Sequence, residues 1–449
     1  MKHALVILSL LLTFVASSLS QERFEQNDPR MQRSPISYEA VALVRSDSGK
    51  GAVNIHYRIG QSFFVYVRDE SAPGKNQYTA RGELIVELLN ENKASVARSI
   101  RQLPLTRTSI PRESDRDLEL EGTISLSAPP GTYTIVFSVD DRESGRSFME
   151  KTRKVTLPNP GLSDFQVASM FFARTPQSDD SHVRFTPVNR GGNVLFGEAG
   201  GIAVELRPTS ETDTLAIHWT LTGKEDGIGE RKRTFGGSNF SVFNNLIGPP
   251  LQEPGVSYDL GPAIGKWKTL FIPLSLEKLE PGKYRFEVEF RQGPIRKEQS
   301  HEFYVVWPSR PFSLMDPDLA LDALRYIASD SEMEAIQSGP AEKRGNAFYE
   351  FWRGQSKDTT TAYSVPMAEY YYRVDEAMRK FSTTRENDGY KTDRGRIYIL
   401  YGPPTKSERL LQPDSAPTEI WTYDRLHRRF IFLDPAKNGN YILSQAENI

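Results

Sequence analysis

The 449-residue chain contains no cysteine. That single absence excludes disulfides, thiolate metal sites and cysteine nucleophiles together. Histidine is scarce as well, with six in all. Beyond the N-terminal stretch, His56, His182, His218, His301 and His427 stand too far apart for metal-ligand spacing, and no H-E-x-x-H occurs. There is no G-x-S-x-G elbow and no Walker loop, and Gly227-Ile228-Gly229 lacks the third glycine of a dinucleotide site. Asp179-Asp180 and Asp316-x-Asp318 are too sparse for a calcium loop. Charge of one sign is also missing: 56 Lys and Arg oppose 58 Asp and Glu, a net of −2. Outside Arg231-Lys232-Arg233 the bases alternate with acids, so the phosphate attraction behind nucleic-acid binding has no footprint. Neither a cofactor nor a metal is expected, and no nucleic acid. Paired carboxylates of a glycosidase stay open, because such pairs are made in space rather than in sequence.

What is present begins with one apolar run. Lys2 precedes Ala4 to Val15, small residues follow to Ser20, and Gln21-Glu22-Arg23 is polar. This is the three-part layout of a secretory signal peptide over residues 1–20, cut after Ser20 or Ser17. The run is shorter than the roughly 20 apolar residues of a spanning helix. The expectation is an exported soluble protein, periplasmic or secreted, with no membrane span after cleavage.

From Tyr38 to Trp307 the chain reads as strands. Tyr133, Ile135, Phe137 and Val139 share one face, and Tyr284, Phe286, Val288 and Phe290 do the same with Arg285, Glu287 and Glu289 opposite. That period of two marks half-buried antiparallel strands. Pro130-Gly131-Thr132-Tyr133 recurs as Pro281-Gly282-Lys283-Tyr284. In each copy the tyrosine can bury its ring and bond its hydroxyl back to the corner, as in sandwich domains. The repeat predicts two all-β, Ig-like sandwiches over 21–160 and 161–308, divided at Pro158-Asn159-Pro160-Gly161. Gly223 to Gly265 is long for a connection, so it is either a packed excursion or the best candidate for a ligand loop, with part of it ordered.

After Pro308 the period becomes helical. Asp316 caps one helix, Ser331 with Glu334 has the spacing of a capping box, and Met367 to Phe381 carries an apolar stripe. Strands are expected at Arg396–Tyr401, Glu419–Tyr423, Phe430–Leu433 and Tyr441–Leu443. Residues 309–449 therefore read as an α+β domain, a small antiparallel sheet covered by helices.

Within it, Gly389-Tyr390-Lys391-Thr392-Asp393-Arg394-Gly395-Arg396, followed by Ile397 to Tyr401 and Gly402-Pro403-Pro404, resembles the signature of the GWxTD domain family. Phe351-Trp352-Arg353, Tyr371 to Val374 and Glu419 to Tyr423 with Trp421 match the family's other pieces in order. Tyr390 stands where the family has tryptophan. The resemblance implies a bacterial, exported protein with an α+β domain behind Ig-like sandwiches, and it implies no reaction. Two roles follow for the motif. In one, Gly389, Gly395, Gly402, Pro403, Pro404 and Trp421 shape a loop feeding a central strand. In the other, Tyr390, Lys391, Thr392, Asp393, Arg394, Arg396 and Tyr398 form a charged rim that holds a polar or anionic ligand. The functional expectation is an exported non-catalytic binding or scaffold protein recognising an envelope protein or a glycan. The alternative is an exported hydrolase of peptides or glycans using Asp393 as acid or base.

Overall fold

A strand with one apolar face needs one partner layer, and a strand buried on both faces needs two. The computed structural model of this chain contains both kinds. It describes residues 35–44, 50–70, 77–109, 118–159, 164–178, 183–228, 231–243, 246–247, 258–260, 266–383, 386–412 and 415–449. The expected signal peptide lies outside the described residues.

The fold is mostly β, with its helices toward the C-terminus. By internal contact the chain divides into two compact units: one from residues 1–221, 235–277 and 284–308, the other from 222–234, 278–283 and 309–449.

In the first unit, strands Ile36–Val44, Gly51–Gly60 and Glu119–Ala128 form an antiparallel three-stranded sheet. It shares a core with a six-stranded sheet built around Tyr78–Leu89 and Gly131–Asp141. Tyr38 of the first sheet stacks on Phe137 of the second at 4.4 Å. The corner tyrosine behaves as its position predicts: its ring is buried, and the Tyr133 hydroxyl donates to the Pro129 carbonyl at 2.7 Å.

A second pair of sheets follows. Gln166–Ala173, Gly200–Arg207, Lys268–Leu274 and Ser241–Phe243 make one. A five-stranded sheet, which includes Leu215–Glu225, Gly282–Gln292 and Ile295–Val306, makes the other. Phe172 packs edge-on against Phe303 at 4.6 Å between these layers.

The strand Gly51–Gly60 is buried at all ten positions. Its Val53, Ile55, Tyr57 and Ile59 side faces the first core. The opposite side of its sheet is covered too, because Val41 and Leu43 cluster with Phe171, Ala173, Ala203, Tyr258 and Phe271. The four main layers of the first unit are therefore packed in series, with a joint in the middle.

In the second unit the helices Pro317–Ala323, Asp330–Gln337, Ala341–Gln355, Val365–Phe381 and Asp393–Tyr401 accompany a four-stranded antiparallel meander. Asp316 caps the first helix by accepting from Asp318 and Leu319 amides. The capping box sits at Ser329 and Glu332, two residues earlier than the spacing of Ser331 and Glu334 predicts. Trp352, Tyr370, Tyr371 and Phe348 form the aromatic core under the helices, and the Tyr371 hydroxyl ties Ala320 at 2.8 Å.

The expected strand Arg396–Tyr401 is a helix, and the meander instead begins at Lys406–Leu410. The reason is local. Thr392 caps the segment by accepting from the Gly395 amide at 3.0 Å, which starts a helical turn. Ile397, Tyr398 and Ile399 are then buried on several sides of a short helix. From sequence, burial all round a helix and burial on both faces of a strand look alike over so short a run.

Candidate functional site

The motif Gly389 to Tyr398 is built from close backbone approach. A β-carbon on Gly395 would collide with the Gly389 carbonyl, and one on Gly389 with the carbonyl of Ala377. Both positions therefore need glycine for space rather than for a left-handed φ. Gly402 does need one, with φ of +78° at the helix end.

Side chains then close over this frame. Tyr390 is buried and its hydroxyl donates to Asp322, while its carbonyl accepts from the Tyr326 hydroxyl at 3.0 Å. Burial pushes the Tyr390 phenol up. Lys391 bonds Asp388 at 2.7 Å and lies over the Tyr390 ring. Thr392 donates to the Gly389 carbonyl at 2.7 Å besides capping the helix. Asp393 splits its carboxylate: Oδ2 accepts from the Leu443 amide at 2.8 Å and Oδ1 pairs with Arg396 at 3.2 Å.

Arg394 is the centre of a second, buried network. It donates to Glu419 at 3.0 Å and to the Gly439 carbonyl at 2.9 Å. Its guanidinium lies 4.3 Å from the Tyr441 ring and 5.3 Å from that of Phe381. Glu419 also accepts from the Trp421 indole at 2.7 Å. Tyr398 is buried and its hydroxyl accepts from Lys380 at 3.1 Å. The geometry thus brings Arg394, Glu419 and Trp421 together and ties Asp393 to the last strand. Lys391 and Arg396 keep the most exposed side chains of the motif's charged groups, at 37% and 41%.

Two further places were singled out by sequence. Arg231, first of the basic run in the long connection, is folded inward. It pairs with Glu225 at 2.7 Å and stacks over the Tyr349 ring at 4.1 Å. Nearby Glu280 is pushed up to about 8 by burial. His218 lies on the solvent side of its strand, opposite buried Ile217 and Trp219. It borders a cleft of about 510 Å³ on the outer sheet face, together with Thr220, Arg285, Glu287, Glu289 and Glu298. Among the described residues no group of three or more His, Asp or Glu side chains could hold a metal ion. No helix there is long and apolar enough to cross a membrane.

The joint of the first unit holds what the sequence reading missed. His56, Asn54 and Tyr258 meet there, with Glu39 and Glu205 buried beside them. A signal existed, because Val53-Asn54-Ile55-His56-Tyr57-Arg58-Ile59 alternates strictly. Nothing in that alternation says that the polar face is covered by residues some 200 positions away.

No curated protein matches the chain. Among solved structures, one titled pT26-6p covers 86% of this chain and 88% of its own, at 8% identity and a TM-score of 0.12. The collagen adhesin of S. aureus covers 61% of this chain and 94% of its own, at 10% identity and 0.15. The Enterococcus faecalis MSCRAMM ACE covers 61% and 97%, at 8% identity and 0.14. Residues 295–447, which include the whole Gly389 to Pro404 signature, match the model of the GWxTD domain.

Proposed function

We propose that the chain is an exported, non-catalytic binding or scaffold protein of a bacterial cell envelope, recognising a protein or a glycan. In this reading residues 21–160 and 161–308 are two Ig-like sandwiches ahead of the domain at 309–449. The observation that carries it is the commitment of the motif's polar atoms. Both Asp393 oxygens have partners within the fold, and Arg394 is enclosed by Glu419, Gly439 and Tyr441. A catalytic acid or base needs an oxygen aimed at a substrate, with a second group in reach. Within the motif, Lys391 and Arg396 are the most exposed charged groups, each in a surface ion pair that a partner could share. The solvated cleft of His218, Thr220 and Glu287 supplies further donors and acceptors suited to hydroxyl groups.

The test places a photo-crosslinking residue at Thr220, Lys391 or Arg396 in the full chain, in the bacterium that makes it. A discrete protein or glycan adduct at one of these sites, retained in Asp393→Asn, is expected. Adducts no richer than those from a crosslinker at exposed Asn92 overturn the reading. So does any turnover of peptides or glycans that Asp393→Asn abolishes.

A further inference from the structure

The joint of the first unit is a place where ionisable groups are buried without full countercharge. Glu39 stands directly across from His56 in the strand register, and His56 across from Thr123. The His56 ring is bonded at both nitrogens, to the Thr123 hydroxyl at 2.8 Å and to the Tyr258 hydroxyl. Asn54 donates to the same Tyr258 oxygen at 3.3 Å. These bonds close without a formal charge when the Tyr258 O–H donates to Nε2 and the Nδ1–H donates to Thr123. Glu39, His56 and Glu205 are respectively 7%, 0% and 0% exposed.

The surrounding cations are already engaged. Arg58 pairs with Glu119 and Glu121, and Arg190 with Glu119 at 2.9 Å. Arg153, the cation acting on Glu39, also pairs with Glu150 at 3.0 Å and donates to the Tyr38 carbonyl at 2.7 Å. Facing Glu39 there are otherwise the Asn189 and Phe172 amides, and facing Glu205 the Val44 amide. Glu39 and Glu205 also act on Tyr258. A lone carboxylate in such surroundings keeps its proton rather than its charge.

We infer that this joint is a protonation-controlled contact, closed while Glu39 and Glu205 carry protons and His56 carries none, and loosened as either condition fails. Burial pushes Glu39 up to about 7 and Glu205 well above its ordinary value. Both raised carboxyls stabilise the closed joint fully below about 4.5, and Glu39 loses that contribution as pH climbs through about 7, Glu205 higher still. Burial holds His56 down to about 3, against an ordinary 6.5. Its contribution is complete above about 6.5 and disappears as pH falls toward 3. The sum is a joint tightest near pH 4.5 to 5, weakening by about tenfold in its closing constant per pH unit toward neutrality.

The cysteine-free chain allows a direct test. Val41→Cys places one thiol in the joint, and Asn92→Cys places one on an exposed turn as the reference for thiolate reactivity. The ratio of their labelling rates by a maleimide should rise by about tenfold per unit between about pH 5 and 6.5. When Glu39→Gln and Glu205→Gln are combined it should instead fall with pH over the same range, since the amides mimic the protonated acids and only the His56 contribution remains. A flat ratio in the parent, or an unchanged slope in the double variant, overturns the inference. Should Val41→Cys itself open the joint, the urea midpoint of the first unit supplies a second reading without any thiol. It should fall with pH between about 5 and 8 in the parent more steeply than in the double variant; parallel profiles overturn the inference.

Discussion

Arg394 in the second unit and Glu39 in the first are both ionisable side chains removed from water, and their surroundings are opposite. Arg394 meets a carboxylate, a carbonyl and two aromatic faces. Glu39 meets backbone amides and an arginine that is shared with Glu150. The first arrangement surrounds its group with partners and fixes a geometry. The second holds its group neutral and so makes the packing answer to pH. Burial alone therefore says little about what a charged residue does; the countercharge decides.

The largest expected effect breaks the first half of that contrast. Arg394→Ala leaves buried Glu419 with only the longer cation contact to exposed Arg409, 3.5 Å away, and poorly compensated buried charges cost about 3–5 kcal/mol. Urea unfolding followed by tryptophan fluorescence, with Trp352 and Trp421 both in the second unit, measures it. Pairing Arg394→Met with Glu419→Leu should recover most of the loss, because the charge then disappears with its partner. Recovery failing would mean that the hydrogen bond to Gly439 matters more than the ion pair.

Next comes a substitution that keeps every charge. Gly395→Ala drives a methyl group into the Gly389 carbonyl, and overpacking against backbone costs about 1–3 kcal/mol. Its thermal midpoint should drop with no change in pH dependence, which separates shape from charge.

A smaller effect has the opposite sign. Glu39→Gln should strengthen the first unit at about pH 5.5 by roughly tenfold in its folding constant and leave it nearly unchanged near pH 4. Loss of stability at about pH 5.5 would place Glu39 in the same class as Arg394. The smallest change calibrates the rest: Thr392→Ala removes the cap on Gly395 and should cost about 1 kcal/mol at every pH, read by circular dichroism melting.

The strands around Tyr133 and Tyr284 were legible because one face is wet and the other dry, and alternation of that kind survives in sequence. The helix Asp393–Tyr401 was not. Its Ile397 and Ile399 favour extended structure locally, and the packing around a nine-residue helix buries the residues between them too. The Asp316 cap was legible from the aspartate-proline pair, whereas the Ser329 box was displaced by two residues, because several serines and acids in a row offer equivalent spacings. Motif glycines could be read as close approaches. Their partners could not, since Asp393 meets Leu443 and Arg394 meets Gly439 across some 45 to 50 residues. Glu39 and His56 carried no sign of burial, because polar residues on the second face of a strand ordinarily mean water.

The complete enclosure of Gly51–Gly60 has a practical side. A fragment ending near residue 160 would retain both sheets of the first core and look self-sufficient on a domain map. It would nevertheless strip Phe171, Ala203, Tyr258 and Phe271 from Val41 and Leu43. Such a fragment should precipitate or dimerise through the bared face, and so should its complement beginning near 164. For anyone expressing this protein in pieces, the usable cut does not lie near residue 160, and a cut at 308 would part Arg231 from Tyr349.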